Sequence, residues 1–330
     1  VNVGLLLTAQ HEPDRDPSDA VAEHLALVRA ARDAGLDSVL VSQHFLTEPY
    51  AMLQPMPLLG RMAAEAGEMR LGTGVLLVTL LNPVEVAEQA ATLDVITGGR
   101  FVLGVGLGYR REERSAFGVP ERAAQVFLDK VDVIRRLLSG EEVTAAGPGY
   151  RLEHARLTLR PMQRPRPPIW MAANTDAGVV RAARHADAWL VNPHARVAEL
   201  KAQMAVYRRA RGSAPYTVPV SREVCVAPTD LEAVGIARPH LEHKYASYVT
   251  WGQSEAMPSG DTLQRAWDDL RADRFILGSP ETVARKIADL RDRIGATELL
   301  ARVTWPGFPL RYAERTIRLL GTKVLPTLTR

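Results

Sequence analysis

Eight short runs of aliphatic and β-branched residues recur along the chain, at 3–7, 38–41, 71–77, 101–105, 169–172, 188–191, 220–226 and 298–303. Most are followed by a longer stretch with helical spacing and readable ends. After the third run, Asn82 stands as a cap, Pro83 as the first helical residue and Glu85 in the capping-box place, with Val86, Ala90 and Leu93 on one face and Gly98 as the stop. Near the C-terminal end, Ser279-Pro280-Glu281 opens another helix that Gly295 closes. Strand then helix, repeated eight times, is the pattern of a closed parallel sheet ringed by helices. The expected fold is therefore α/β, a (β/α)8 TIM barrel, formed as one domain over residues 1–330 of a chain that is 46% hydrophobic.

Two stretches exceed the plain repeat. Residues 141–168 read as a hairpin-like excursion after the fourth strand, ending in a proline-rich connector. Residues 230–274, after the seventh strand, are too many for one crossover helix, and long insertions after barrel strands commonly shape the mouth of a site.

The glycines of "GVGLG" raise the question of a dinucleotide-binding turn. Their spacing is Gly104-x-Gly106-x-Gly108, and the next strong helical pattern starts only near Glu121, so the Rossmann fingerprint is not met. At the end of a fourth barrel strand the same glycines let backbone come close to whatever occupies the mouth.

Four segments together resemble the bacterial luciferase-like flavin monooxygenases and the deazaflavin-dependent oxidoreductases: "GLDSVLVSQHF" at 35–45, the run at 70–109, "PPIWMAANTDAGVVRAARHADAWLV" at 167–191 and "FILGSPETVARKI" at 275–287. The resemblance implies a histidine in proton transfer beside the reactive edge of a flavin, and His44 stands in the matching place. Gln43, where deazaflavin-dependent relatives often carry an acidic residue, hydrogen-bonds but carries no charge, and is assigned to orienting cofactor or substrate. The resemblance further implies a cis peptide at Gly74-Val75 beneath the ring, with Thr73, Gly106 and Leu107 alongside it. Ala173, Asn174 and Thr175, at the start of a helix, would receive the cofactor phosphate. Luciferase places an arginine where this chain has Leu107, so either Arg110 or Arg111 reaches the phosphate instead or the pocket accepts a different phosphate arrangement. Tyr109, Tyr245, Trp251 and Trp305 are expected to line a hydrophobic substrate pocket.

The implied activity is oxidation of a small hydrophobic molecule by dioxygen, with reduced FMN supplied by a separate flavin reductase. A hydride-transfer enzyme using coenzyme F-420 is the alternative. A third reading, a flavin-binding subunit without turnover, is disfavoured by His44 and the aromatic mouth. Barrels of this family commonly pair, and the segments 86–96 and 52–62 are candidates for a homodimer face, although "YAMLQPMPLLGRM" would serve equally as pocket lining.

Other classes are excluded on simple grounds. A net charge of +3, with arginines scattered rather than interleaved with aromatics, does not suit nucleic acid. The histidines show no metal-ligand spacing, so no metal is expected. The one cysteine, Cys225, lies in an apolar alternation and reads as a core thiol. No apolar stretch approaches a bilayer span and "VNVGLLLTAQ" carries no basic leader, so a cytoplasmic protein without membrane contact is expected.

Overall fold

The computed structural model describes residues 1–258 and 261–328. Its frame is a curled parallel sheet of nine strands: β1 (Asn2–Leu7), β2 (Ser38–Val41), β3 (Arg70–Thr73), β4 (Phe101–Gly106), β5 (Ile169–Ala172), β6 (Ala188–Leu190), β7 (Pro219–Val226), β8 (Ile276–Gly278) and β9 (Glu298–Arg302). They neighbour one another in the order β6-β5-β4-β3-β2-β1-β9-β7-β8. At the far edge the sheet comes back on itself, because Val191 N–H donates to Pro219 O at 2.9 Å and Ser221 N–H to Val191 O at 2.8 Å. The eight runs read from the sequence all lie on strands of this sheet, and β8, beside the outer half of β7, is an addition to them.

Alternation along the strands explains the curl. Leu6, Leu40, Val102, Trp170, Ala188, Leu190 and Leu300 meet in one buried cluster inside the sheet. Their neighbours Leu5, Leu7, Val39 and Val41 belong to the larger cluster on the opposite face, beneath the helices. Each strand is thus buried on both faces, which is why the runs are almost continuously apolar.

The helices are α1 (Pro17–Asp33), α2 (Pro55–Met62), α3 (Pro83–Ile96), α4 (Arg111–Ala116), α5 (Ala123–Leu138), α6 (Asp176–His185), α7 (Val197–Arg211), α8 (Asp230–Thr250), α9 (Trp267–Arg271), α10 (Pro280–Ile294) and α11 (Leu310–Leu319). Asn82, Thr175 and Ser279 cap α3, α6 and α10 by accepting from Val84, Gly178 and Thr282 N–H. Gly295, at φ 73°, ends α10 in the left-handed conformation that glycine adopts without penalty. The excursion at 141–168 contains an antiparallel hairpin of Val143–Gly147 and Tyr150–Ala155. Of the 230–274 insertion, the first 21 residues form the single helix α8 and α9 lies near its end. One local expectation is corrected: a helix, α4, begins at Arg111, well before Glu121. Six residues are too few to display a 3.6-residue period.

Among the described residues no helix is long and apolar enough to cross a membrane, and no group of three or more His, Cys, Asp or Glu is placed to hold a metal ion. Cys225 is buried, and burial pushes its thiol up to about 11.

Candidate active site

The C-terminal ends of the strands surround a cavity of about 320 Å³, within the range of small-molecule sites. Ser42, Gln43 and His44 enter it from β2, Gly74 and Val75 from β3, Gly106 to Tyr109 from β4, and Ala172 to Thr175 from β5. The first helix turn after β5, with Gly178 and Arg181, forms one wall. Asn192 to His194, Ser221, Tyr248 and Arg302 contribute another.

His44 is the best-defined acid-base group here. Its Nδ1 lies 2.9 Å from Oε1 of Glu113, and the same oxygen accepts the Phe45 N–H at 2.8 Å. Glu113 comes from α4, the short helix invisible to periodicity, and is fully buried. With Nδ1 occupied by a carboxylate, Nε2 is the ring nitrogen left for chemistry. The tyrosine ring of Tyr109 stands edge-on to the imidazole, centroids 5.6 Å apart. Burial raises the Tyr109 phenol well above its ordinary range, so it stays protonated and is available as a donor.

Gln43 is a structural bracket. Its Oε1 accepts the Leu77 N–H at 2.9 Å, and its Nε2 donates to Gln54 Oε1, also at 2.9 Å. Gln54 in turn donates to the His44 carbonyl at 3.0 Å. Gln43, the second residue after β2, therefore ties down both His44 and the backbone that follows β3. In that backbone the Gly74-Val75 peptide is cis.

The floor has no room to spare. A Cβ on Gly106 would sit 2.6 Å from Val75 Cγ2, and one on Gly104 would meet the Thr73 carbonyl oxygen at 1.9 Å. These glycines allow β3 and β4 to close up beneath the cavity. Thr73 itself is buried outside the lining, its hydroxyl donating to Gly104 O at 2.7 Å.

Thr175 and Gly178 at the start of the ten-residue helix α6 line the cavity, the Thr175 hydroxyl accepting the Gly178 N–H as the helix cap. Arg181 folds back over this turn: a Cβ placed on Gly178 would be 3.6 Å from its Nη2. Helix amides beside a guanidinium are groups of the kind that receive a phosphate. Asn174 is held in place by Asn192, whose amide donates to its side-chain oxygen.

Several placements differ from expectation. Tyr245 and Trp305 do not line the cavity; both are buried against Glu223, the indole N–H of Trp305 donating to Oε2 at 2.5 Å. Trp251 also stands back, its N–H donating to Glu48 O at 3.0 Å and its face covered by Arg110 at 4.6 Å. Buried aromatics with polar tips look alike in sequence whether they face a cavity or a buried ion. Of the four aromatics named, Tyr109 lines the cavity, and Tyr248 joins it. Arg110 is spent on the Phe45 and Leu46 carbonyls, while Arg111 is largely exposed beside Glu255. The arginine that lines the cavity at the α6 end is Arg181, the sixth residue of that helix and one that no motif marks. Pro55, Met56 and Pro57 lie along a separate shallow recess behind Gln43.

Residues 1–298 match the family model described as luciferase-like monooxygenase. The chain belongs to that family. Members of this luciferase-like family are monooxygenases and related oxidoreductases, and the chain is accordingly an enzyme. Among similar proteins, the 4-hydroxyprotoasukamycin monooxygenase of Streptomyces nodosus subsp. asukaensis is 32% identical over 163 residues, 49% of this chain and 44% of that one. Many solved structures share the fold, two of them as follows. The oxygenating constituent of 3,6-diketocamphane monooxygenase from Pseudomonas putida, in complex with FMN, superposes with a TM-score of 0.81 at 19% identity, covering 99% of this chain and 98% of that one. An F420-dependent secondary alcohol dehydrogenase, in complex with an F420-acetone adduct, gives 0.78 at 18% identity with the same coverage.

Proposed function

We propose that this luciferase-like enzyme is a monooxygenase that takes reduced FMN from a separate flavin reductase and uses dioxygen to oxidise a small organic molecule. The observation that carries the reading is the His44-Glu113 pair at a cavity that Arg181 and the opening residues of α6 also line. Unpartnered buried polar atoms fit a ligand: Tyr109 Oη, His194 Nδ1 and Ser221 Oγ have no partner among the described residues.

Ala173, Asn174, Thr175 and Arg181 would hold the phosphate, and Gly74, Val75, Gly106 and Leu107 the face of the ring. FMN, when bound, supplies the redox chemistry and the reaction with oxygen. The protein's part is positional and protonic. His44 Nε2 gives or takes a proton at the reacting oxygen, and Glu113 keeps the imidazole in the tautomer and orientation that allow it. Gln43 fixes the loop that carries His44, and apolar side chains such as Leu6, Val75 and Met171 keep bulk water from the reacting atoms.

The frame is read as a (β/α)8 barrel in one domain, with its insertions after the fourth and seventh strands. Pairing of two copies across α3, where Val95 and Ile96 are 41% and 52% exposed, is part of the same reading. Hydride transfer on coenzyme F-420 is the alternative; Gln43, uncharged where such relatives often carry an acidic residue, favours FMN.

An anaerobic titration with reduced FMN and with reduced F-420, followed by mixing with oxygenated buffer, tests the choice. Tighter binding of reduced FMN and an oxygen reaction altered from that of the free flavin are expected. Preference for F-420 with no response to oxygen would make this a hydride-transfer enzyme.

A further inference from the structure

We propose that the wall formed by β7, β9 and the turn 192–195 is an acid-binding subsite, which selects a substrate whose apolar body carries an anionic oxygen, a carboxylate or phenolate. The inference rests on the reading above in taking the bound acid to be the molecule oxidised.

Three groups converge on this wall. Ser221 is fully buried on the cavity face of β7, and its Oγ has no partner among the described residues. Arg302, at the end of β9, is 5% exposed; its Nη2 donates to Tyr248 Oη at 3.4 Å, Nη1 lies 3.5 Å from Glu223 Oε1, and Nε is unpartnered. His194 lines the cavity with Nδ1 unpartnered. Its place is set through its backbone: Arg274 Nε donates to His194 O at 2.7 Å, while Arg222 donates to Asn192 O at 3.0 Å and Ala195 O at 3.1 Å. Two buried guanidiniums are thus used to hold one imidazole against the cavity.

The charges do not balance. Glu223 faces both Lys244, at 2.7 Å, and Arg302, and Asp261 pairs with Arg274. The Arg222 guanidinium is bonded to backbone carbonyls. Even with Lys244 left out, three buried guanidiniums stand against the two buried carboxylates of Glu223 and Asp261; a further acid acting on Arg222, Asp273, is exposed and shared with Arg293. A buried surplus charge is costly unless something neutralises it, and a ligand carboxylate or phenolate would do so. Burial and the surrounding arginines and Lys244 hold the His194 imidazole well below its usual range, so it meets that ligand as a neutral donor. The remaining lining is largely apolar, which suits a hydrocarbon or aromatic body.

The test is calorimetric binding of 2-naphthoate and its neutral counterpart 2-naphthamide to the protein loaded with oxidised FMN, so that no turnover intervenes. The acid is expected to bind about tenfold more tightly or better. Arg302→Met should abolish that preference with FMN affinity unchanged, and Ser221→Ala should weaken it about threefold in a protein whose folding is not in question. Equal binding of the two probes, or a preference that survives both substitutions, overturns the proposal. So does loss of FMN affinity in Arg302→Met with naphthoate preference retained, which would give the arginine to the flavin. Failure of the unsubstituted protein to bind FMN would count against the monooxygenase reading instead, and the same probe pair on the unloaded protein would still decide the subsite.

Discussion

One oxygen of Glu113 accepts from His44 Nδ1 at 2.9 Å and from the Phe45 N–H at 2.8 Å, so a single carboxylate sets both the ring and the backbone that bears it. If this pair moves the proton, the two residues act as a unit. His44→Ala and Glu113→Gln should each lower turnover by about 10²-fold, and the double variant should be little worse than either alone. Flavin affinity should hold within about twofold throughout. Fully additive losses in steady-state kinetics would separate the two residues.

Arg181 and the α6 amides make a prediction that needs no substrate. Arg181→Met should weaken FMN about tenfold while leaving riboflavin, which lacks the phosphate, unchanged. Fluorescence titration with both flavins reads this directly, and parallel losses would mean that Arg181 meets the ring or merely supports the wall.

The two strand glycines should fail in different ways. At Gly104 a methyl group would strike a backbone oxygen, the Thr73 carbonyl, whereas at Gly106 it would strike the side chain of Val75. Gly104→Ala should therefore cost about 3 kcal/mol or more in stability, and Gly106→Ala about 1 kcal/mol, with the latter also displacing Val75 and weakening FMN. Chemical denaturation of both variants checks the order; a reversed order would mean that β3 and β4 separate more easily than their ladder suggests.

Lys244 links the buried ion cluster to pH. Burial lowers its amine from 10.5 to about 7, while the unfolded chain keeps its proton up to the ordinary value. Between these values the unfolded state binds more protons, so this group makes the fold more stable as pH rises through that window. The slope is at most about 1.4 kcal/mol per unit. Below the window both states are protonated and the contribution levels off. Denaturation of the natural protein and of Lys244→Met at pH 7 and pH 9 should show a smaller rise in the variant; equal rises would remove Lys244 from the account.

The strands were legible because each is buried on both faces: Leu5, Leu6 and Leu7 satisfy two cores at once and leave a continuous apolar run. Gln43, His44 and the Gly74-Val75 turn were legible because they follow strand ends in segments that resemble known relatives. Glu113 was not, since its helix is a single turn and a half and its partner lies 69 residues away. Arg302, Ser221 and His194 were hidden for another reason. Each sits in or beside an apolar strand where polar residues look incidental, and their common wall exists only after β7 and β9 pair from Pro219↔Glu298 to Glu223↔Arg302. Tyr245 and Trp305 were read toward the mouth because a sequence cannot tell an aromatic that faces a ligand from one that faces a buried carboxylate.

The pairing of β1 with β9, in the register Asn2↔Glu298, has a consequence for how the molecule is made. Synthesis of β1 precedes that of β9 by about 290 residues, so β1 cannot find that neighbour for roughly 15 to 60 seconds at about 5 to 20 residues per second. Through that interval one edge of an apolar strand stands open to any other chain. Yield in the cell should therefore depend more on chaperone supply during synthesis than on the stability of the finished fold.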